Sequence, residues 1–83
     1  MARIPSPAAA HIGAIIAEHR KARGLSVDDL ASKTKIDSSN IRSYESGRAL
    51  VGLQSLVRIA AALDVEPGGL LKGIEVSMFA KGS

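Results

Sequence analysis

Polar side chains dominate the short stretch from Ile36 to Gly47, which has the limits of a single helix. Asp37 is a residue type that caps helix N-termini, and Gly47 can supply the left-handed conformation that ends a helix. Between these two residues only Ile41 and Tyr44 are apolar, and their spacing places them on one face. The other side chains form a broad hydrogen-bonding surface, which comprises Ser38, Ser39, Asn40, Arg42 and Ser43.

This surface has the donors and acceptors that contact base edges and phosphates in nucleic acids. Arginine donates parallel hydrogen bonds, and serine hydroxyls both donate and accept. A solvated surface helix would carry the same residue types. The stretch alone therefore leaves both interpretations open.

The composition of the whole chain limits the fold. The 83 residues are enough for one small domain, and 46% of them are hydrophobic although only Tyr44 and Phe79 are aromatic. A core of alanine, leucine, isoleucine and valine favours an all-α fold. The absence of cysteine excludes disulfides and thiolate metal sites, and it fits a cytoplasmic location. A net charge of +3 is a mild basic bias, compatible with a polyanionic partner.

Several other function classes lack support in the sequence. No apolar run reaches the roughly 18 residues that cross a bilayer, and the N-terminus lacks the apolar segment of a signal peptide. His11 and His19 are too far apart to form a metal pair on adjacent helical turns. Asp28 and Asp29 are better explained by the positive end of a helix than by acid–base catalysis. We therefore expect no membrane association, cofactor, metal, small-molecule ligand or enzymatic activity.

Apolar periodicity and helix-ending residues predict five helices in all. Their expected ranges are 8–23, 27–34, 38–46, 53–63 and 67–71. Gly24 ends the first, Ser26 and Asp29 form a capping box at the second, and Pro67 begins the fifth. The fourth has the most apolar face in the chain, formed by Leu53, Leu56, Ile59, Ala60 and Leu63. Because the second and third helices are separated by a turn of only about three residues, they are predicted to form a helix-turn-helix.

The two ends of the chain differ from this central part. Residues 1–7 contain two prolines and are predicted to form a flexible arm, residues 8–72 the helical domain, and residues 73–83 a tail. In the tail, Ile74, Val76, Met78 and Ala80 alternate with Glu75, Ser77, Phe79 and Lys81. This period is typical of a strand, and we expect the strand to pair with that of a second subunit in a homodimer. A disordered tail, or one folded back on its own core, fits the same residues.

The motifs of the central part resemble those of the Xre or lambda-repressor-like helix-turn-helix family. The resemblance covers residues 12–71. The residues that carry it are Gly24-Leu25-Ser26, Leu30-Ala31, Ile41, Tyr44-Glu45-Ser46-Gly47-Arg48 and the run from Leu56 to Val65. It implies a five-helix DNA-binding domain whose third helix enters the major groove. Such domains usually bind DNA as dimers. Most members are transcriptional repressors or antitoxins.

The resemblance also assigns roles to individual residues. It implies that Ser38, Ser39 and Ser43 contact base edges, and we expect stronger discrimination from their neighbours Asn40 and Arg42. The resemblance implies phosphate contacts for Ser46, Arg48 and Arg42, so Arg42 has two candidate roles. Lys35 is expected to bring a further charge near the DNA. Arg20 and Glu45 match a pair that ties the first helix to the end of the third.

Three residues depart from the family pattern. Val27 stands where a phosphate-binding glutamine is frequent, so that contact must come from backbone amides of the second helix. Lys35 stands where glycine is common, and a positive φ there would cost about 1 kcal/mol. Val51 replaces a frequent proline. None of the three is expected to break the fold.

These observations together predict a sequence-specific transcriptional regulator that binds double-stranded DNA. Two alternatives use the same fold. One is the antitoxin of a toxin–antitoxin pair, and the other is a module that presents its polar helix to a partner protein. Salt-dependent binding to duplex DNA would separate the regulator from the protein-interaction module.

Overall fold

The computed structural model describes residues 6–79 of the chain. This part contains four α-helices, α1 (Pro7–Ala22), α2 (Val27–Thr34), α3 (Ser38–Ser46) and α4 (Leu53–Leu63), followed by two short 3₁₀ helices, Pro67–Leu71 and Val76–Met78. No strand occurs within the described range. The prediction of an all-α fold with a helix-turn-helix at α2 and α3 is confirmed.

The fifth predicted helix is present, but it is a 3₁₀ helix rather than an α-helix. The amide of Gly69 donates to the carbonyl of Glu66 at 2.8 Å, which is the three-residue bonding pattern of a 3₁₀ turn. Two consecutive glycines after Pro67 disfavour an α-helix because glycine has a low helix propensity. The segment still contributes to the core, since Leu70 is fully buried.

The core lies where the helices converge. α2 packs against both α3 and α4, and α1 lies across α3 while also contacting α4 and the first 3₁₀ helix. The buried cluster consists of Ile12, Ile16, Leu30, Ile36, Ile41, Leu56, Ile59, Ala60, Leu63 and Leu70. Leu53 was expected in this cluster but is 79% exposed. Apolar spacing predicts which side of a helix faces the core, but not how far along the helix the core extends. Leu53 is the first residue of α4, at an end that the core does not cover.

Capping residues account for the starts of α1 and α2. Ser6 accepts the amide of Ala9 through its Oγ at 3.2 Å, so α1 begins one residue before the predicted start; residues 1–5 of the predicted arm lie outside the described range. At α2 the capping box is confirmed. The Asp29 amide donates to Ser26 Oγ and the Ser26 amide donates to Asp29 Oδ2, both at 2.9 Å.

The start of α3 differs from the expectation. Asp37 occupies the N-cap position, and its backbone carbonyl accepts the amide of Ile41 at 3.0 Å, but its carboxylate bonds no helix amide. Asp37 is exposed, so water competes for its carboxylate. At the other end Gly47 has the predicted left-handed conformation, with φ of +81°. The limits of α3 are therefore set mainly by the backbone.

The tail continues from the core and then turns. Ile74 packs against the buried cluster, and His11 Nε2 forms a 2.6 Å hydrogen bond with the carbonyl of Lys72. Where side-chain alternation predicts a strand, Val76–Met78 forms a 3₁₀ helix, since the Met78 amide donates to the Glu75 carbonyl at 2.9 Å. The predicted strand was expected to pair with a second subunit, so within a single chain its backbone groups have no partner strand. Residues 80–83 lie outside the described range.

Candidate nucleic-acid interface

α3 presents its polar side chains away from the core. Ile41 is fully buried and Tyr44 is half-buried. At about 100° per residue, Ser39, Arg42 and Ser43 lie opposite these two side chains. Ser38, which is half-buried, and Asn40, which is exposed, lie at the two edges of this surface. The structure thus places three of the five predicted base-reading residues on one face and two at its edges.

Arg42 connects this face to the start of α2. Its Nη1 donates to Ser38 Oγ at 3.4 Å, and its Nη2 lies 3.8 Å from Asp28 Oδ1. The Arg42 and Asp28 side chains are 56% and 79% exposed, so the ion pair is weak in water and is easily exchanged for another anion. Asp28 therefore lies beside Arg42 without burying it.

The predicted phosphate contacts Ser46 and Arg48 lie together at the C-terminal end of α3. Gly47 reverses the chain, and the Arg48 amide returns to the carbonyl of Ser43 at 3.0 Å. Arg48 Nε donates to Ser46 Oγ at 3.3 Å, and that hydroxyl donates to the Ser43 carbonyl at 3.2 Å. A serine hydroxyl and a guanidinium are therefore held side by side, and both are exposed.

Lys35, the remaining predicted phosphate contact, has a different setting. Its φ is +63°, so it takes the left-handed conformation that was expected to be strained. Its exposed side chain lines a shallow recess with Lys33 and with Arg58 of α4. The charge of Lys35 therefore lies beside α4, and the structure does not group it with Arg42 or Arg48.

The predicted pair between Arg20 and Glu45 is present and connects α1 with α3. Arg20 Nε and Nη2 donate to the two carboxylate oxygens of Glu45 at 2.7 and 2.9 Å, and Nη1 donates to the Leu25 carbonyl at 2.8 Å. The two side chains are only 12% and 11% exposed. The hydrogen bond with Glu45 and its charge raise the pKa of Arg20, with burial opposing them. The forked pair fixes α3 against α1.

A second connection between α1 and α3 was not predicted. Gly13 lies in the middle of α1, where a methyl group would overlap the carbonyl oxygens of Tyr44 and Glu45. Near the end of α3, a Cβ at Gly47 would lie 2.8 Å from Cα of Ala10. The two helices therefore meet backbone to backbone. A glycine inside a helical pattern is the sequence signal that could have identified this contact.

The sequence of the helical domain matches a known family of helix-turn-helix proteins. The model of a helix-turn-helix family, HTH_3, matches residues 16–70, which include all of α2, α3 and α4. The chain belongs to this helix-turn-helix family. The Xre or lambda-repressor-like resemblance is thereby confirmed. No curated protein matches the chain.

Solved structures of helix-turn-helix proteins are similar over most of the chain. The restriction-modification controller protein C.AhdI from Aeromonas hydrophila is 35% identical, with a TM-score of 0.73, and the match covers 75% of this chain and 94% of that one. SinR, described as the master regulator for biofilm formation and solved in complex with DNA, is 34% identical, with a TM-score of 0.71 and coverage of 74% and 98%. The N-terminal DNA-binding domain of SinR from Bacillus subtilis, also 34% identical, has a TM-score of 0.71 and coverage of 74% and 90%.

Within this helix-turn-helix domain, two departures from the family pattern have a structural role. Val27 and Val51 are half-buried and pack against the core cluster. Val27 thus stabilises the first turn of α2 but cannot donate to a phosphate. The first turn also carries Asp28 and Asp29, whose charges favour the helix N-terminus. Any anion held at this end of α2 would be contacted by backbone amides and would meet these two carboxylates.

In the part of the chain that the structure describes, no helix is long and apolar enough to span a membrane.

Proposed function

We propose that the chain is a sequence-specific transcriptional regulator that binds double-stranded DNA with α3 in the major groove. The observation that carries the proposal is the outward polar face of α3, with an exposed arginine in its middle and another just beyond its end. Membership of the helix-turn-helix family supports it, as does the similarity to SinR, a relative solved with DNA. Because the proposed target is DNA, the proposed location is the cytoplasm.

In this proposal the residues divide into two groups. The base-reading group comprises Arg42, Asn40, Ser38, Ser39 and Ser43, while Arg48 and Ser46 hold a phosphate at the end of α3. Serine hydroxyls accept several base edges, so we expect a degenerate consensus in which DNA shape contributes to preference.

Arg42 is suited to either kind of contact. Its weak pair with Asp28 breaks when DNA supplies a guanine edge or a phosphate, both of which bind a guanidinium strongly. Asp28 therefore opposes DNA binding slightly, because its pair with Arg42 must break first.

The test is a salt series of duplex DNA binding, using duplexes selected from a random pool. Counterion release predicts that log K falls linearly with log salt, with a slope of about 0.9 for each neutralised phosphate. Arg42→Ala should lower this slope by about one if Arg42 holds a phosphate, or remove preference at one base pair if it reads guanine. Arg23→Ala, at an exposed arginine just beyond α1, is the matched control. Unchanged affinity, slope and preference in Arg42→Ala would contradict the proposed role of α3.

We further propose that the regulator is a homodimer joined through its tail. Val76 is 89% and Phe79 44% exposed, so apolar surface is available beyond the anchored Ile74. A two-fold dimer would set two copies of α3 about 34 Å apart, one turn of duplex, and it would imply a palindromic site.

Sedimentation equilibrium of the full chain and of a truncation after Gly73 tests the dimer. We expect the full chain to dimerise and the truncated form to remain monomeric because it has lost the apolar tail. A full chain that stays monomeric at high micromolar concentration, or a truncation that dimerises equally well, would contradict a role of the tail.

A further inference from the structure

A basic recess lies at the junction of α2 and α4. It has a volume of about 500 Å³ and is lined by Lys33, Thr34, Lys35, Arg58, Ala61 and Ala62. Three of these six side chains are cationic and none is acidic. The ion pairs found within residues 6–79 involve Arg20 and Arg42, and neither includes a cation of the recess.

The fold explains only part of this charge. Lys33 and Lys35 lie at the C-terminal end of α2, where cations interact favourably with the helix dipole. Hydrogen bonds with Ser26 lower the pKa of Asp29, one turn earlier, and the charge of Lys33 adds to this effect. Arg58 lies in the middle of α4, where no helix end attracts it. Lys35 keeps a charged side chain in a left-handed conformation in which glycine would be unstrained.

We call the three cationic side chains of the recess its rim and the three uncharged lining residues, Thr34, Ala61 and Ala62, its floor. Ala61 and Ala62 supply methyl groups, and the hydroxyl of Thr34 donates to the carbonyl of Leu30 at 2.8 Å. The same hydroxyl accepts the amide of Ile36 at 3.2 Å, so the floor has no unpaired hydroxyl. The recess thus combines three cations with a small apolar surface.

We propose that this recess binds an acidic segment of a partner protein, with carboxylates on the rim and a small apolar side chain on the floor. Arg58 can bind one carboxylate through two parallel hydrogen bonds, while the lysines attract others as point charges. A protein segment uses the apolar floor, which a phosphate backbone does not. The recess lies where α2 packs against α4, whereas the outward polar face belongs to α3. This surface is additional to the proposed DNA interface.

A binding experiment with the full chain tests the proposal directly. The probe is a short fluorescent peptide of glutamate and leucine, compared with a peptide in which lysine replaces glutamate. The recess variant combines Lys33→Gln with Arg58→Gln, and the matched control combines Lys21→Gln with Arg23→Gln, two exposed cations at the end of α1. Both variants have the same net charge, so a general electrostatic effect would weaken peptide binding equally in the two.

The expected result is saturable binding of the acidic peptide, reduced about tenfold in the recess variant and little changed in the control. Amide chemical shifts of the parent should change at residues 33–35 and 58–62 on titration, which does not depend on how the variants fold. Equal loss in both variants, shift changes elsewhere, or the same affinity for the lysine peptide would overturn the proposal. So would a recess variant that loses duplex DNA binding while retaining the acidic peptide.

Discussion

Removing the Arg20 guanidinium would leave the Glu45 carboxylate at the α1–α3 crossing without its charged partner. Both side chains are almost 90% covered, and Arg20 makes two hydrogen bonds to Glu45 and a third to the Leu25 carbonyl. Breaking a buried ion pair by deleting one partner costs about 3–5 kcal/mol, mostly because the remaining charge is uncompensated. We therefore expect Arg20→Met to be strongly destabilising.

The size of this loss is large relative to the stability of the domain. At about 0.05–0.15 kcal/mol per residue, a chain of 83 residues has a free energy of unfolding of about 4–12 kcal/mol. A domain of this size loses about 4–8 °C in Tm for each kcal/mol. Arg20→Met should therefore lower the Tm by about 12 °C or more, or unfold the chain at room temperature.

A double-mutant cycle separates the pair from the packing around it. Thermal and urea unfolding followed by circular dichroism would be measured for Arg20→Met, Glu45→Met and the double variant. The double variant should be more stable than the sum of the single losses implies, because no charge is left unpaired. Arg20→Lys should recover part of the loss, since lysine keeps the charge but cannot form the fork. Arg23→Ala, in an exposed position near the same helix end, should melt with the parent.

The pH dependence gives an independent check on the pair. The hydrogen bond with Glu45 and its charge raise the pKa of Arg20 above its already high ordinary value, so the contribution of Arg20 to stability is fully present at neutral pH and is lost only in strongly alkaline solution. The deficit of Arg20→Met should thus be the same across the neutral range. An Arg20→Met variant that melts within about 2 °C of the parent would refute the reasoning, because breaking a buried ion pair should cost much more unfolding free energy than that.

Four further substitutions, one of them with a matched control, test other parts of the structure. Lys35→Gly should raise stability by about 1 kcal/mol in urea unfolding, because glycine takes φ of +63° without strain. Gly13→Ala should destabilise by about 1–3 kcal/mol or more through overpacking, whereas Gly68→Ala, with no atom within 4 Å, should not. Asp28→Asn should increase duplex DNA affinity severalfold in anisotropy titrations, since it frees the arginine of α3 and removes a nearby negative charge. Hydrogen bonds with the backbone and side chain of Ser26 lower the pKa of Asp29 from 3.8. The stability that the Asp29 carboxylate gives the fold is therefore present above that pH and is lost as pH falls through the lowered pKa. The urea midpoint of Asp29→Asn should accordingly approach that of the parent only in acid.

Two features encoded by neighbouring residues were predicted correctly from the sequence. The capping box of Ser26 and Asp29 and the left-handed Gly47 depend on residues a few positions apart, and the structure confirms both. The pair of Arg20 and Glu45 spans 25 positions. No local pattern predicts a pair at that separation, so it could be predicted only from the family resemblance.

Some local predictions failed, since the Asp37 carboxylate bonds no helix amide and the alternating tail forms a 3₁₀ helix. Most of the other missed features depend on how helices meet. The exposure of Leu53 follows from where the core ends, which apolar spacing does not report. The recess brings Lys35 and Arg58 together across two helices, and Gly13 faces backbone atoms of α3. Each of these needs the relative placement of elements, whereas sequence patterns describe one element at a time.

The close approach of α1 and α3 at Gly13 affects how easily the chain can change its target. α3 is held from behind by main-chain contact, by the side chain of Ile41 and by the carboxylate of Glu45. Exposed residues such as Ser39 and Arg42 take no part in that attachment. Substitutions among them should alter binding preference with little effect on folding, since exposed positions tolerate exchange. Evolution or a protein engineer can therefore respecify the target on this domain without first having to stabilise it.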